Sequence, residues 1–362
     1  MKIPKVPPVQ LVNAVQRFRH HLLRLHQALV PAPAVMVEFI TAAWMAQAIT
    51  VAADLRIADA LADKPLGLDE LASRVECDPD ALGRLLRALI GRGIFKRLHD
   101  GRYDLNQLAQ TLRWDVPGSM AALARFVGST QDREHWSHCV DAVRTGESVV
   151  PTLRGMDGFD WAASQPELSE VFNQAMTNVS ELAVDAVTAA YDFTGCRTIV
   201  DVAGGHGRLL AGVLAAAPNA TGVLFDLPHV VAGAERLLRK HRVADRVRIV
   251  EGSFFEAIPE GGDLYVLKNI IHDWPDDKAR QILKTLRAAF ERGTTVLLVE
   301  CVISPHDRDF PAKWMDLAML VDNAGRERTG EEYQNLLQQS GFHMIRIVPT
   351  ASPFSIVKAK AA

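Results

Sequence analysis

In the run LKNIIHDWPDDKAR, Leu267 to Arg280, a histidine stands where an apolar stretch stops and an acidic, proline-marked helix start begins. An unperturbed imidazole titrates near ~6.5, so His272 is the side chain here that could accept a proton from a substrate at neutral pH. A carboxylate behind the ring would stabilise its imidazolium form. Two carboxylates are placed to do so. Glu300 closes the apolar run TTVLLVE, and Glu327 precedes RTGEEYQNLL. In that second run Thr329 and Glu332 have the spacing of a capping box, which occupies Glu332 and leaves Glu327 outside the helix, free to point inward.

A second constellation lies upstream, in VDVAGGHGRLLAGVLAAAPNATGVLFDL. A strand, a turn holding Gly204, Gly205 and Gly207, a helix and a second strand ending in Asp226 follow one another. Glycines let the backbone approach a ligand closely, and a carboxylate at the end of the second strand can accept both ribose hydroxyls. The element predicts a site for a nucleoside-containing cofactor, with Asp201 placed to meet an ammonium group. A nicotinamide dinucleotide does not fit: counted from Gly205, the G-x-G-x-x-G pattern needs glycine where the chain has Leu210. Metal chemistry is not expected. His135 and His138 could share a helix face but have no third ligand at recognisable spacing, and the four cysteines lie far apart with no C-x-x-C.

Five short apolar, β-branched runs (RTIVDVAG, ATGVLFDL, VRIVEGSF, DLYVLKNI and TTVLLVEC) alternate with helix-like segments. The pattern predicts an α/β fold, a Rossmann-like doubly wound parallel sheet, with ligands outside the carboxyl ends of its strands. His272 and Glu300, at the ends of the fourth and fifth strands, then share one edge.

With 362 residues the chain exceeds one core, at roughly 150 residues per domain. Ahead of the sheet, Leu66 to Leu105 reads as two short helices and a hairpin turning at Asp100-Gly101, a mainly α winged-helix pattern. Arg84, Arg87, Arg92, Lys96, Arg97, Arg102 and Arg113 outnumber Asp100 and Asp104 there, which keeps DNA binding as a competing reading. The net charge of -3 points to no polyanion as main partner. Phe39 to Ala53 is too short to span a bilayer and reads as a buried helix, and no secretory signal is visible, so the cytoplasm is the expected compartment. Leu11 to Leu29 reads as an amphipathic arm packed on a partner subunit, with a membrane-surface helix as the alternative.

Asp-Val-Ala-Gly-Gly-His-Gly at 201 to 207 resembles motif I of the S-adenosylmethionine-dependent methyltransferases. FDLPHV, GSFF, LKNIIHDW, VECVI and GRERT follow in the order found in the small-molecule O-methyltransferases of plants and bacteria, the caffeate and hydroxyindole type. The resemblance covers nearly the whole chain. It implies an N-terminal arm (1–34), a winged-helix dimerisation domain (35–115), a helical linker and substrate-pocket segment (116–190) and an S-adenosylmethionine-binding catalytic domain (191–362). It also implies a homodimer, S-adenosyl-L-methionine as cofactor, and methyl transfer to a small hydroxylated, aromatic acceptor. The catalytic base falls on His272 and its supports on Glu300 and Glu327. Ser253 and Phe254 fall beside the adenine, Lys268 near the methionine portion or the base, and Ser180 near the cofactor. Phe172, Met176, Asp316 and Met319 fall in the substrate pocket, with core packing an equal explanation for Phe172 and Met176. Asp322 and Asn323 both remain open for a polar substrate contact. The chain departs from the pattern at Ser253, where many relatives have aspartate, and at Ala203, in place of the first motif glycine, where a methyl group is tolerable at negative φ.

Two alternatives remain. Some relatives of this fold use the cofactor for non-methylating chemistry such as hydroxylation, but they often lack the histidine. A winged-helix regulator would bind duplex DNA with a steep salt dependence.

Overall fold

A computed structural model describes residues 6–362; the first five residues of the expected arm lie outside them. The chain forms two compact units. One comprises the described part of Met1–His20 with His135–Ser164 and Ser180–Ala362; the other comprises His21–Glu134 with Gln165–Val179.

The larger unit is built on a seven-stranded sheet. Its strands are β3 (Thr198–Val202), β4 (Thr221–Asp226), β5 (Val247–Glu251), β6 (Leu264–Lys268), β7 (Thr295–Glu300), β8 (Phe342–Pro349) and β9 (Ser355–Ala361), in the order β5-β4-β3-β6-β7-β9-β8. The first five pair in parallel, and β9 runs antiparallel to both β7 and β8. The sheet is therefore mixed, where sequence alone predicts a parallel one. β6 and β7 are apolar in almost every position and buried on both faces, as central parallel strands must be. The carboxyl ends of four neighbouring strands, β4, β3, β6 and β7, bring Asp226, Asp201 with the glycine loop, the His272 turn and Glu300 to one edge. Strand order reverses between β3 and β6, so this edge is the topological switch point.

The helix after the His272 turn, Asp276–Ala288, begins behind Pro275, has two aspartates in its first turn and buries Ala279, Ile282, Leu283 and Leu286. Neither Asp273 nor Asp276 caps it by a side-chain hydrogen bond. The predicted capping box at Thr329 and Glu332 forms and starts the helix Gly330–Gln339.

In the smaller unit the helices Leu68–Arg74 and Pro79–Gly91 are followed by a hairpin of β1 (Lys96–Arg97) and β2 (Tyr103–Asp104), the winged-helix pattern read from sequence. Several of its cations are engaged by the chain itself. Lys96 pairs with Asp104, Arg102 with Asp100 and Arg113 with Asp115, and Arg97 lies over Tyr103. The helix Ala32–Asp54 departs from expectation. It buries only Thr50, Ala52 and Ala53 within the chain, and Met36, Val37, Phe39, Ile40 and Trp44 are exposed. The helix is long and apolar enough to cross a membrane. The preceding helix, Val9–Ala28, buries nothing and exposes Leu11, Phe18, Leu22 and Leu25.

Candidate active site

After β6 the chain passes through Asn269, at φ 55°, a left-handed conformation that asparagine tolerates, into the one-turn helix Ile271–Asp273. This turn points His272 into the protein, where it is 5% exposed. Its Nδ1 lies 2.7 Å from Oε1 of Glu327, itself 1% exposed. With a proton on Nδ1 donated to that carboxylate, Nε2 is the ring nitrogen that keeps its lone pair. An oxygen of Asp273 stands 3.3 Å from Nε2.

Glu300 is placed differently. Fully buried, it accepts through Oε1 from the backbone N–H groups of Ile271, at 3.0 Å, and Ile270, at 3.3 Å. It holds the turn that carries the ring, whereas Glu327 holds the ring. Ligand-type atoms of His272, Glu300 and Glu327 all lie within 4.8 Å of one another, a separation that could also suit a metal ion. The direct His272–Glu327 hydrogen bond accounts for much of this closeness.

Burial works against charge on the imidazole, but Asp273, Glu327 and Glu300 together outweigh it and push the His272 pKa up to about 10. Burial raises the acids around it, Glu300 to about 7 and Asp273 to about 6, against the pull of the His272 charge.

The His272 turn and the Glu327 segment are clamped together largely by residues to which the sequence reading gave no role. Arg328, 1% exposed, donates through Nη1 to the carbonyl of Ile271 and through Nη2 to that of Trp274, each at 2.9 Å, and also binds Asp276. The N–H of Arg326 donates to the carbonyl of His272 at 2.8 Å. Gly325 lies so close that a Cβ on it would meet that carbonyl oxygen at 2.2 Å. Oδ1 of Asp316, read from sequence as a pocket residue, accepts from the N–H of Glu327 at 2.9 Å. The signal for this clamp was the GRERT run itself, but an arginine among charged neighbours reads as surface until its partners are seen.

Trp274, which follows the His272 turn, belongs to an aromatic cluster: it stacks on Phe159 with centroids 5.2 Å apart, and Phe254 and Phe255 stand nearly perpendicular to it. Ser253 accepts at Oγ from the N–H of Phe255 in the loop after β5. Met319 is buried on the helix Pro311–Asn323, which also carries Asp316. Ser180 is half-buried on the helix Pro166–Ala190. Phe172 and Met176 sit earlier on that helix, in the smaller unit, where Phe172 packs on Phe126.

At the glycine loop Asp201 is 2% exposed and its Oδ2 has no hydrogen-bond partner among the described residues. Burial pushes its pKa up to about 7, with Lys268 opposing. Burial likewise pulls the Lys268 ammonium down, with Glu300 and Asp201 opposing. Asp226 accepts from the N–H groups of Gly205, at 2.8 Å, and Leu227, at 2.7 Å, and each oxygen keeps a further lone pair. A Cβ on Gly204 would lie 2.6 Å from the Asp201 carboxyl carbon, whereas one on Gly205 would enter open space. A deep carboxylate with one oxygen unpartnered among the described residues, beside a turn in which three glycines leave the backbone open, fits a cationic nucleoside cofactor.

Ala203 does not adopt the negative φ expected of it; it stands at φ 55°. The turn needs this left-handed step, which costs a residue with a Cβ about 1 kcal/mol or more. Ala203→Gly is therefore expected to raise the free energy of unfolding by about 1 kcal/mol in urea titration, an unchanged or lowered midpoint counting against strain at this residue.

The family model of the O-methyltransferase domain matches residues 136–343, and that of the O-methyltransferase dimerisation domain matches residues 37–113. The chain is 38% identical to a phenazine O-methyltransferase of Lysobacter antibioticus, over 91% of this chain and 97% of the relative. Among solved structures it resembles human N-acetylserotonin methyltransferase in complex with S-adenosylmethionine (25% identity, 92% and 98% of the two chains, TM-score 0.86). It also resembles an O-methyltransferase of neocarzinostatin biosynthesis in complex with S-adenosylmethionine and 2-hydroxy-5-methyl naphthoic acid (32% identity, 88% and 96%, TM-score 0.74). Matched by the O-methyltransferase domain model over more than half its length and by a 38% identical relative along nearly all of it, this protein belongs to the S-adenosylmethionine-dependent O-methyltransferase family and is an enzyme of that kind.

Proposed function

We propose that the enzyme methylates a hydroxyl of a planar aromatic acceptor, with His272 as the general base. The observation that carries this reading is the Nδ1–Glu327 contact at 2.7 Å, which leaves Nε2 for the hydroxyl. S-adenosylmethionine supplies an electrophilic methyl carbon. Asp201, Asp226, Lys268, Ser253, Phe254, Ser180 and the Gly204, Gly205 and Gly207 turn are the residues we assign to holding it. The acceptor hydroxyl gives its proton to Nε2 as its oxygen takes the methyl group. A phenol titrates near ~10, so an unperturbed imidazole would accept that proton uphill by roughly 3.5 units. The acids around His272 raise its proton affinity and so lessen that uphill step, and Glu327 stabilises the imidazolium that results. Glu300 holds the turn by its amides, and Trp274 with Phe159 offers a flat wall to a ring.

Met319 and Asp316 complete the proposed acceptor-side set within the larger unit. The named acceptors of similar proteins, a phenazine and a naphthoic acid, support an aromatic acceptor. We assign the exposed apolar face of Ala32–Asp54, which the dimerisation-domain model overlaps, to a second copy of the chain.

The test is a panel of hydroxylated aromatics incubated with methyl-labelled S-adenosylmethionine. Label and the mass of one methyl group should enter the product. A product that gains oxygen and no label would replace methyl transfer with hydroxylation.

A further inference from the structure

A second buried histidine is organised like the first. His135, 5% exposed, has Nδ1 3.0 Å from Oδ1 of Asp322, and the edge of its ring meets Trp161 with centroids 5.4 Å apart. Its Nε2 is buried without a hydrogen-bond partner among the described residues. With Asp322 holding the proton on Nδ1, Nε2 carries a buried lone pair with nothing among the described residues to bind, an arrangement that costs stability unless a ligand or water supplies a donor.

The pair is tied to the catalytic centre through one helix. In Pro311–Asn323, Asp316 holds the backbone of Glu327 and Asp322 holds His135. Met319, buried, lies between them in an i, i+3, i+6 stripe, and six residues of helix advance about 9 Å. The Glu327 segment and the His135 ring are thus held at points separated along the helix axis by about the length of a two-ring aromatic. Gly158 packs close against the end of this helix: a Cβ on it would lie 2.5 Å from Asn323 Oδ1 and 3.1 Å from the Asp322 carbonyl oxygen.

We propose that His135, oriented by Asp322, is an acceptor-binding residue that selects aromatic acceptors carrying a second hydrogen-bond donor, a hydroxyl or amino group, at the end remote from the methylated oxygen. The proposal rests on the reading of His272 as the site of methyl transfer. Asp322 is a positioning residue, acting through the His135 ring.

The test compares 2,6-dihydroxynaphthalene with 2-naphthol, which differ only in the remote hydroxyl, by calorimetric binding to the full-length enzyme saturated with S-adenosylhomocysteine. The wild type should bind the diol at least tenfold more tightly. His135→Phe, which keeps the ring and removes its nitrogens, should abolish that preference while binding 2-naphthol as before. Asp322→Asn, which no longer fixes the tautomer, should reduce the preference in part. Equal affinity for the two probes in the wild type, or a preference that survives in His135→Phe, would overturn the proposal and leave Nε2 as a core atom or a water ligand. Because binding is read without turnover, a failure of methyl transfer itself would appear separately, as wild-type enzyme that binds these probes but labels no acceptor.

Discussion

Replacing His272 by alanine is expected to lower turnover by about 10²-fold or more while S-adenosylmethionine binding persists, since the loss of a positioned general base falls on the chemical step. The raised proton affinity of the ring makes a further result available. As the proposed base His272 would have to be neutral to act, and the surrounding acids raise its pKa above neutrality, so activity should rise with pH from neutral into the alkaline range. Glu327→Gln keeps a hydrogen-bond acceptor beside Nδ1 but removes a charge that raises the pKa, so the rising limb should move to lower pH. The same change leaves the imidazolium less stabilised, and the plateau rate should fall by about tenfold or more. A limb that stays in place while the rate falls would mean that Glu327 orients the ring without tuning it. Full activity in His272→Ala would remove the base assignment altogether.

The site was legible in sequence to the degree that its parts are local. The glycine loop, the strand ends and the capping box each lie within a few residues of one another, so residue type and spacing suffice to place Asp201, Asp226 and His272 on one edge. What could not be read were contacts made across the chain. Glu300 and Glu327 are two acids beside apolar runs, and only the fold shows that one takes backbone amides and the other the imidazole. Arg328 is fully buried because four carbonyl and carboxylate groups from distant and neighbouring segments converge on it, and none of these announces itself in GRERT. The last two strands were missed for a different reason. In FHMIRIVP and SIVKAKA polar residues interrupt the apolar ones, which suits the edge strand β8 and obscures β9 beside it, and the antiparallel insertion of β9 between β7 and β8 is a pairing choice that spans many residues. The helix Ala32–Asp54 misled because uniform apolarity signals burial, whereas the single chain leaves most of this surface uncovered.

Gly325→Ala should cost as much activity as the loss of a catalytic group, although no atom of Gly325 takes part in proton transfer. The added methyl would stand 2.2 Å from the His272 carbonyl oxygen and 2.6 Å from the Asp273 carbonyl carbon, both backbone atoms that no rotamer change can move. Relief requires the His272 turn and the Glu327 segment to separate, which breaks the Arg326 N–H to His272 bond and strains the Arg328 bonds to Ile271 and Trp274. A displacement of about 1 Å in a catalytic group is worth about 10²-fold in rate, and this substitution demands a shift of that order. Asp201 and the glycine loop lie on other segments of the edge, so cofactor affinity should change little. The expected pattern is therefore a fall in kcat with a nearly constant S-adenosylmethionine Kd, measured by calorimetry, in protein that still unfolds cooperatively. Wild-type kcat would show that the two segments tolerate separation, and the close approach at Gly325 would then have no part in holding the His272–Glu327 pair.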